Sequence, residues 1–148
     1  MTEVRAATIN DVPQLANLLT LLFTQEADFI PDIDKQTMGL KRIIEDASIG
    51  NILVLSEKNR IVGMVCLLYT ISTALGGKVA ILEDMILEPD SRGKGQGTLL
   101  LKEAIHFARK NDCLRITLLT DLSNMEGIRF YQKQGFIQSA MTPLRLLF

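Results

Sequence analysis

AILEDMILEPDSRGKGQGTLLL, from Ala80 to Leu101, is the stretch on which the reading of this chain turns. It begins as a strand candidate, with Ile81, Leu82, Met85, Ile86 and Leu87 around the acidic pair Glu83 and Asp84. It breaks at Pro89-Asp90-Ser91 and passes through Gly93, Gly95 and Gly97 into an apolar helical pattern. The pattern is a strand, a tight loop and a helix start.

Such a junction favours an anion. The first amides of a helix have no intrahelical partner and carry the positive end of the helix dipole. The three glycines remove Cβ atoms that would hold a ligand away from those amides, and Arg92 and Lys94 add positive charge beside them. A phosphate group suits this arrangement, and a glycine-rich turn that binds nothing is the other reading open here. Two common phosphate loops are excluded. GxGxxG fails because Thr98 stands where the third glycine belongs, and a P-loop fails because Gly95, not Ser or Thr, follows Lys94.

Composition bounds the rest. A chain of 148 residues, 47% of them apolar, is expected to form one domain with a substantial core. A net charge of −1 gives no electrostatic footprint for nucleic acid. No apolar run approaches the roughly 18 residues of a membrane span, and Met1-Thr2-Glu3 leads directly into patterned sequence without a signal peptide, so a cytoplasmic protein is expected. Cys66 and Cys113 lie in apolar strand-like runs and read as free thiols. One histidine and two scattered cysteines give no basis for a metal centre.

The order of elements follows from periodicity. Glu3–Ile9 alternates as a first strand, Asn10-Asp11 offers a helix start, and Leu15, Leu18, Leu19, Leu22 and Phe23 recur at helical spacing. Glu26–Asp34 reads as an acidic loop, and Lys35–Ala47 as a second helix with Met38, Ile43 and Ile44 inward. Ile52–Ser56 and Ile61–Ser72 form a hairpin about Glu57–Arg60, with Gly63 marking a bulge or a close backbone approach. Lys78–Leu87 pairs antiparallel with the hairpin. A third helix over Gly95–Lys110 buries Leu99, Leu100, Ala104, Phe107 and Ala108, and a strand over Asp112–Thr120 follows, parallel to Lys78–Leu87 because a helix crosses between them. A last helix over Met125–Gln134 ends at Gly135, and Phe136–Phe148 supplies one or two more strands broken near Pro143. The fold class is α/β (α+β): a mixed, mostly antiparallel sheet of about six or seven strands flanked by about four helices.

Three segments together carry a resemblance. Glu83–Leu87, Arg92–Thr98 and Asn124–Phe136 (NMEGIRFYQKQGF) resemble the GNAT superfamily of acyl-CoA-dependent N-acetyltransferases. Arg92-x-x-Gly95-x-Gly97 is similar to the family's pyrophosphate loop. Asn124-x-x-Gly127-x-x-Phe130-Tyr131-x-x-x-Gly135-Phe136 is similar to its second acyl-CoA motif, with Gly127 where alanine is usual.

The resemblance implies acetyl-CoA as co-substrate and no metal. The central strand splays from its parallel neighbour, the pantetheine arm lies along Met85, Ile86 and Leu87, the pyrophosphate sits on Arg92, Gly93, Lys94, Gly95, Gln96, Gly97 and Thr98, and Asn124 contacts the arm. Glu83 is implied as the base, acting through water, and Tyr131 as the acid for the departing thiolate. A backbone N–H near Met85 or Ile86 could serve the oxyanion. In a regular strand Glu83 and Asp84 face opposite ways, so one of them is expected to hold substrate or structure unless a bulge intervenes.

The acceptor is expected to be the primary amine of a small molecule. The acids Glu26, Asp28, Asp32 and Asp34, with Asp84, point to a cationic one, and the Leu82-Glu83-Asp84 triplet is similar to that of diamine and thialysine acetyltransferases. Protein lysine or N-terminal acetylation, an acyl-CoA-binding regulatory module without catalysis, and an interaction domain without cofactor are the alternatives. Neither a nucleic acid nor a membrane partner is expected. The apolar tail Leu144–Phe148 suggests an edge strand shared in a homodimer.

Overall fold

A computed structural model describes residues 1–26 and 28–148; Ala27, inside the expected acidic loop, lies outside the described residues. The elements are β1 (Thr2–Ala6), α1 (Val12–Gln25), α2 (Ile33–Ile44), β2 (Gly50–Glu57), β3 (Arg60–Ser72), β4 (Gly77–Leu87), α3 (Gln96–Lys110), β5 (Ile116–Leu118) and α4 (Met125–Gln132). The sheet has the order β1-β2-β3-β4-β5, antiparallel except for the parallel β4–β5 pair. This is the mixed α/β architecture expected, with the α3 crossover where the spacing placed it.

Two layers of helix close the two faces of the sheet. On one face α1 and α2 bury Leu15, Leu18, Leu19 and Leu40 against Val54, Met64, Cys66 and Ile86. On the other, α3 buries Leu100, Leu101, Ala104 and Ala108 against Leu53, Leu55, Val65, Leu67, Ala80 and Leu82. Strands buried on both faces need nearly continuous apolar sequence, which is why Ile61–Leu68 contains only one break, at Gly63. A Cβ at Gly63 would stand 3.2 Å from the Ile86 carbonyl oxygen, the close approach its position suggested. Lys58 and Asn59, both with positive φ, close the β2–β3 hairpin.

The strand count is a correction. Among the described residues there are five strands, not six or seven: Phe136–Phe148 forms none, and β5 shrinks to three residues. Pro143 cannot donate to a ladder, and Ile137, Met141, Leu144, Leu146, Leu147 and Phe148 stand exposed, so no burial offsets the cost of ordering the tail as strand. The first strand likewise ends at Ala6 rather than Ile9, because Ile9–Asp11 winds into a 3-10 turn; there Asp11 takes the Thr8 N–H at 2.7 Å and a two-point pairing with Arg5 at 2.8 and 3.1 Å.

Helix α2 begins earlier than expected, at Ile33, because the Asp32 carboxylate accepts the N–H groups of Asp34 and Lys35. Its buried residues are Leu40 and Gln36, whereas Met38 faces solvent. The Gln36 amide donates to the Ala16 carbonyl at 2.9 Å and the Thr20 hydroxyl at 3.0 Å, fastening α2 to α1 by a polar contact that an apolar pattern does not reveal. Leu99, expected inside, is exposed on α3, and Leu101 is buried.

Candidate active site

The β3–β4 pairing slips at the acidic pair. Cys66 lies opposite Glu83 and Met64 opposite Ile86, so Val65 alone faces Asp84 and Met85. This is a β-bulge, and its extra residue is Asp84, held at φ +54. The bulge shifts the alternation of the strand by one. Leu82 packs on the α3 face, whereas Ile86, an even number of residues further on, packs on the α1/α2 face. The opposite-face geometry of a regular strand does not hold here: Glu83 lies across from Cys66, and Asp84 stands in the bulge, where the strand changes face.

The electrostatics agree. Burial first, then the charges of Asp84 and Glu83, push the Cys66 thiol up, keeping it neutral. Asp84 is half-buried, and desolvation, then Glu83, then Glu26, push its carboxyl up to about 7. Glu26, at the end of α1, is raised by its own burial and then by Asp121, Asp28 and Glu83. Glu83 is the exposed member of the pair. The structure thus gathers three of the expected acids, Glu26, Glu83 and Asp84, and places Asp28 at the rim, exposed and 3.4 Å from Arg145. It adds Asp121, which the sequence reading passed over; its place just beyond the carboxyl end of a parallel strand was the available signal.

β4 and β5 pair only from Ala80 to Leu82 against Ile116 to Leu118. From Glu83 to Leu87 the β4 edge that faced β5 has no strand beside it among the described residues, and this segment contains Met85, Ile86 and Leu87. The backbone groups on this edge that bond neither to β3 nor, like the Leu87 carbonyl, to Arg92 lie open to a ligand that can act as a strand.

The glycine loop stands at the end of that segment. Gly93 and Gly95 have φ of +76° and +78°, and no described atom beyond the adjoining residues lies within 4 Å of where a Cβ on either would stand. Gly95 is the N-cap of α3, a helix of 15 residues, so free amides point out of an open cradle. Gly97 differs: a Cβ there would meet Leu87 at 3.5 Å and Phe130 at 3.6 Å, ordinary contacts that pack α4 against the start of α3. Lys94 is exposed, while Arg92 turns back and donates from Nε to the Leu87 carbonyl at 3.0 Å, bracing the loop against β4. Gln96 donates from Nε2 to Glu57, and its Oε1 is buried with no partner among the described residues. Thr98 is half-buried in the first turn of α3. An open cradle of left-handed glycines on a helix N-terminus, flanked by two cations, fits a pyrophosphate.

Helix α4 carries the remaining candidates. Asn124 caps it, accepting the Gly127 N–H at 3.1 Å and donating to the Thr120 hydroxyl at 3.2 Å. Tyr131 is half-buried between Phe130 and Phe136, with ring centroids 5.2 and 5.7 Å away in edge-on contacts. Burial pushes its hydroxyl up to about 12, so it stays protonated.

Residues 13–136 match the model of the Acetyltransferase (GNAT) family. The chain belongs to the GNAT family of acetyltransferases. Among relatives of this GNAT protein, the Bacillus subtilis protein named "Uncharacterized N-acetyltransferase YhfO" is 28% identical over 137 residues, which is 90% of this chain and 89% of that protein. Streptothricin acetyltransferase A of Bacillus subtilis is 39% identical over 65 residues, 44% of this chain and 38% of that protein. An integron cassette protein from the mobile metagenome of Cole Harbour Salt Marsh superposes with a TM-score of 0.85 at 26% identity, over 97% of this chain and 89% of that one. A "predicted acetyltransferase with acetyl-CoA from Clostridium acetobutylicum" shares the fold, with a TM-score of 0.80 at 21% identity over 99% and 96% of the two chains. Among the described residues of this GNAT domain, no cluster of His, Cys, Asp and Glu is arranged to hold a metal, and no helix is long and apolar enough to cross a membrane.

Proposed function

We propose that this GNAT domain transfers an acetyl group from acetyl-CoA directly to a primary amine of a small cationic molecule. One observation carries the reading: the parting of β4 from β5 at Leu82, which leaves an open strand edge leading to the glycine cradle. Bound acetyl-CoA supplies a thioester carbon open to attack by a neutral amine. The amides from Gly93 to Thr98, with Arg92 and Lys94 beside them, hold the pyrophosphate. The open edge at Met85, Ile86 and Leu87 takes the pantetheine arm, and Asn124 fixes the start of α4 beside the same gap, with one N–H of its amide left for the arm.

Acyl transfer asks the protein for a proton acceptor, an oxyanion partner and a proton donor. The acidic pair Glu83 and Asp84 supplies the first, a backbone N–H at Met85 or Ile86 the second, and the Tyr131 hydroxyl the third. Glu26, Asp28 and Asp84 give the acceptor end of the site a negative potential, which draws in a cation and repels an anion. A protein that only sensed acyl-CoA would need neither a carboxyl poised near neutrality nor a protonated phenol. A cytoplasmic setting accords with the two free thiols, and the exposed tail Leu144–Phe148 supports a homodimer.

Calorimetric titration with acetyl-CoA tests the reading. Micromolar binding by the native protein, lost when Gly95 and Gly97 are both changed to Asp, is the expected result. Turnover with cationic amines but not with neutral ones completes it. A folded native protein that takes up no acetyl-CoA would end it.

A further inference from the structure

We infer that Asp84, rather than its neighbour Glu83, is the side chain that takes the proton from the attacking amine. The inference rests on the acetyltransferase reading above and sharpens it to a single atom group.

Geometry singles Asp84 out. It is the extra residue of the bulge and sits in the left-handed region at φ +54, a conformation that costs a residue with a Cβ about 1–2 kcal/mol and that short polar side chains visit most readily. The distortion sets Asp84 where the strand changes face, within the electrostatic reach of Glu83, Glu26 and Cys66. It also leaves Asp84 half-buried at the point where the β4 edge opens, while Glu83 stays exposed.

Among the described residues, no counter-charge pairs with Asp84. The charges that act on it are those of Glu83 on β4 and Glu26 at the end of α1; the neutral Cys66 thiol on β3 feels Asp84 in turn, and Asp28 and Asp121 act on Glu26. None of the ion pairs among the described residues includes Asp84. A half-buried carboxylate with only acids around it is unfavourable in the free protein, and a cationic acceptor relieves it. Its value of about 7 places it where a general base works best, close to the pH of operation. Glu83, in contact with solvent, is suited to holding the charged remainder of the acceptor.

The amine enters with its lone pair free. As its nitrogen bonds to the acyl carbon it sheds one proton to a carboxylate oxygen of Asp84. The carbon–sulfur bond breaks with its electron pair on sulfur, and the Tyr131 hydroxyl protonates that sulfur. Solvent then carries the proton from Asp84 to the Tyr131 phenolate and restores both groups.

The test uses the whole chain with 1,4-diaminobutane and lysine as acceptors, and follows kcat and kcat/KM from pH 5.5 to 9 for the native protein, Asp84→Asn and Glu83→Gln. Asparagine tolerates the left-handed region, and unchanged acetyl-CoA binding by Asp84→Asn confirms that the variant is folded. Expected for Asp84→Asn is a fall in kcat of about 100-fold or more, with loss of the acidic limb of kcat/KM centred near 7. Glu83→Gln keeps that limb and raises KM for the diamine. A carbon-13 titration of the aspartate carboxyls needs no acceptor, and is expected to show one resonance moving near pH 7 that is missing in Asp84→Asn. The reverse pattern, with the limb lost in Glu83→Gln and kept in Asp84→Asn, overturns the assignment and leaves the transferase reading intact, as does an Asp84 carboxyl that titrates in the ordinary acid range. A native protein that binds acetyl-CoA and acetylates no amine removes both.

Discussion

Gly127 leaves the space that Asn124 fills: a Cβ at position 127 would stand 2.2 Å from Nδ2 and 2.8 Å from Cγ of Asn124. The cap of α4 in its present form therefore requires glycine. Gly127→Ala gains about 0.5–1 kcal/mol of helix propensity and forfeits a cap of comparable size, so thermal unfolding should shift by only about 2–4 °C in either direction. Asn124→Ala should lower stability by about 1 kcal/mol in the native background and by almost nothing once Gly127 is Ala. A double-mutant cycle read by thermal denaturation measures that coupling.

In the free protein Gly93 and Gly95 are required by backbone conformation and not by packing, since no described residue beyond their neighbours crowds either position. Gly95→Ala should cost about 1–2 kcal/mol of stability from its positive φ. If the cradle holds the pyrophosphate, the same change lowers acetyl-CoA affinity at least tenfold. Gly97→Ala, with normal φ and only ordinary contacts near its Cβ, should leave stability within about 1 kcal/mol of native. Denaturant unfolding and calorimetry on the same samples separate the two effects.

Asp84 should also make the protein less stable as pH rises. Between the ordinary carboxylate range and its own value of about 7, the folded protein keeps a proton that the unfolded chain has released, so stability falls across that window. The roughly three-unit gap corresponds to on the order of 4 kcal/mol. Asp84→Asn is therefore expected to melt several degrees above the native protein at pH 8 and level with it at pH 4. Equal melting temperatures at pH 8 would show that the carboxyl ionises there without penalty.

Asp11 titrates in the opposite sense. Its pairing with Arg5, then the Thr8 N–H, outweigh its burial and hold its carboxyl below the usual range. The stability it contributes is present above the unfolded value near 4 and is lost as pH falls through the lower folded one. Asp11→Asn should cost about 1–3 kcal/mol at pH 7 and progressively less below pH 4, as read by urea unfolding at each pH.

Tyr131→Phe is expected to lower kcat by about 100-fold while acetyl-CoA affinity stays within about twofold, since the hydroxyl is proposed to act only when sulfur departs. With the hydroxyl at about 12, no loss of turnover from its ionisation should appear up to pH 10. Steady-state rates beside calorimetric affinities check both statements.

The glycine loop, the β2–β3 turn, the α3 crossover and the placing of Glu83 and Tyr131 beside the β4 edge and α4 are legible in the sequence, because each is fixed by local chemistry: positive φ at glycine and asparagine, capping, or strand and helix periodicity. The bulge at Asp84 is not, because a bulge is a mismatch between two strands and neither strand alone records it. Gln36 escapes for a similar reason, since its partners, Ala16 and Thr20, lie on another helix. The tail reads as strand because alternation of apolar residues reports what could be buried and not whether a surface exists to bury it. Asp121 carries no motif, and its influence on Glu26, at the end of α1, spans segments far apart in the chain.

The point at Leu82 where β4 and β5 separate makes ligand binding a continuation of folding. An acyl chain carrying amide groups along the open edge would finish the ladder as an added strand, so the outward-facing amide protons between Met85 and Leu87 should exchange with solvent faster in the free protein than that of Ala80, which donates to the Arg115 carbonyl at 2.9 Å. Saturating acetyl-CoA should then slow them into line with their neighbours.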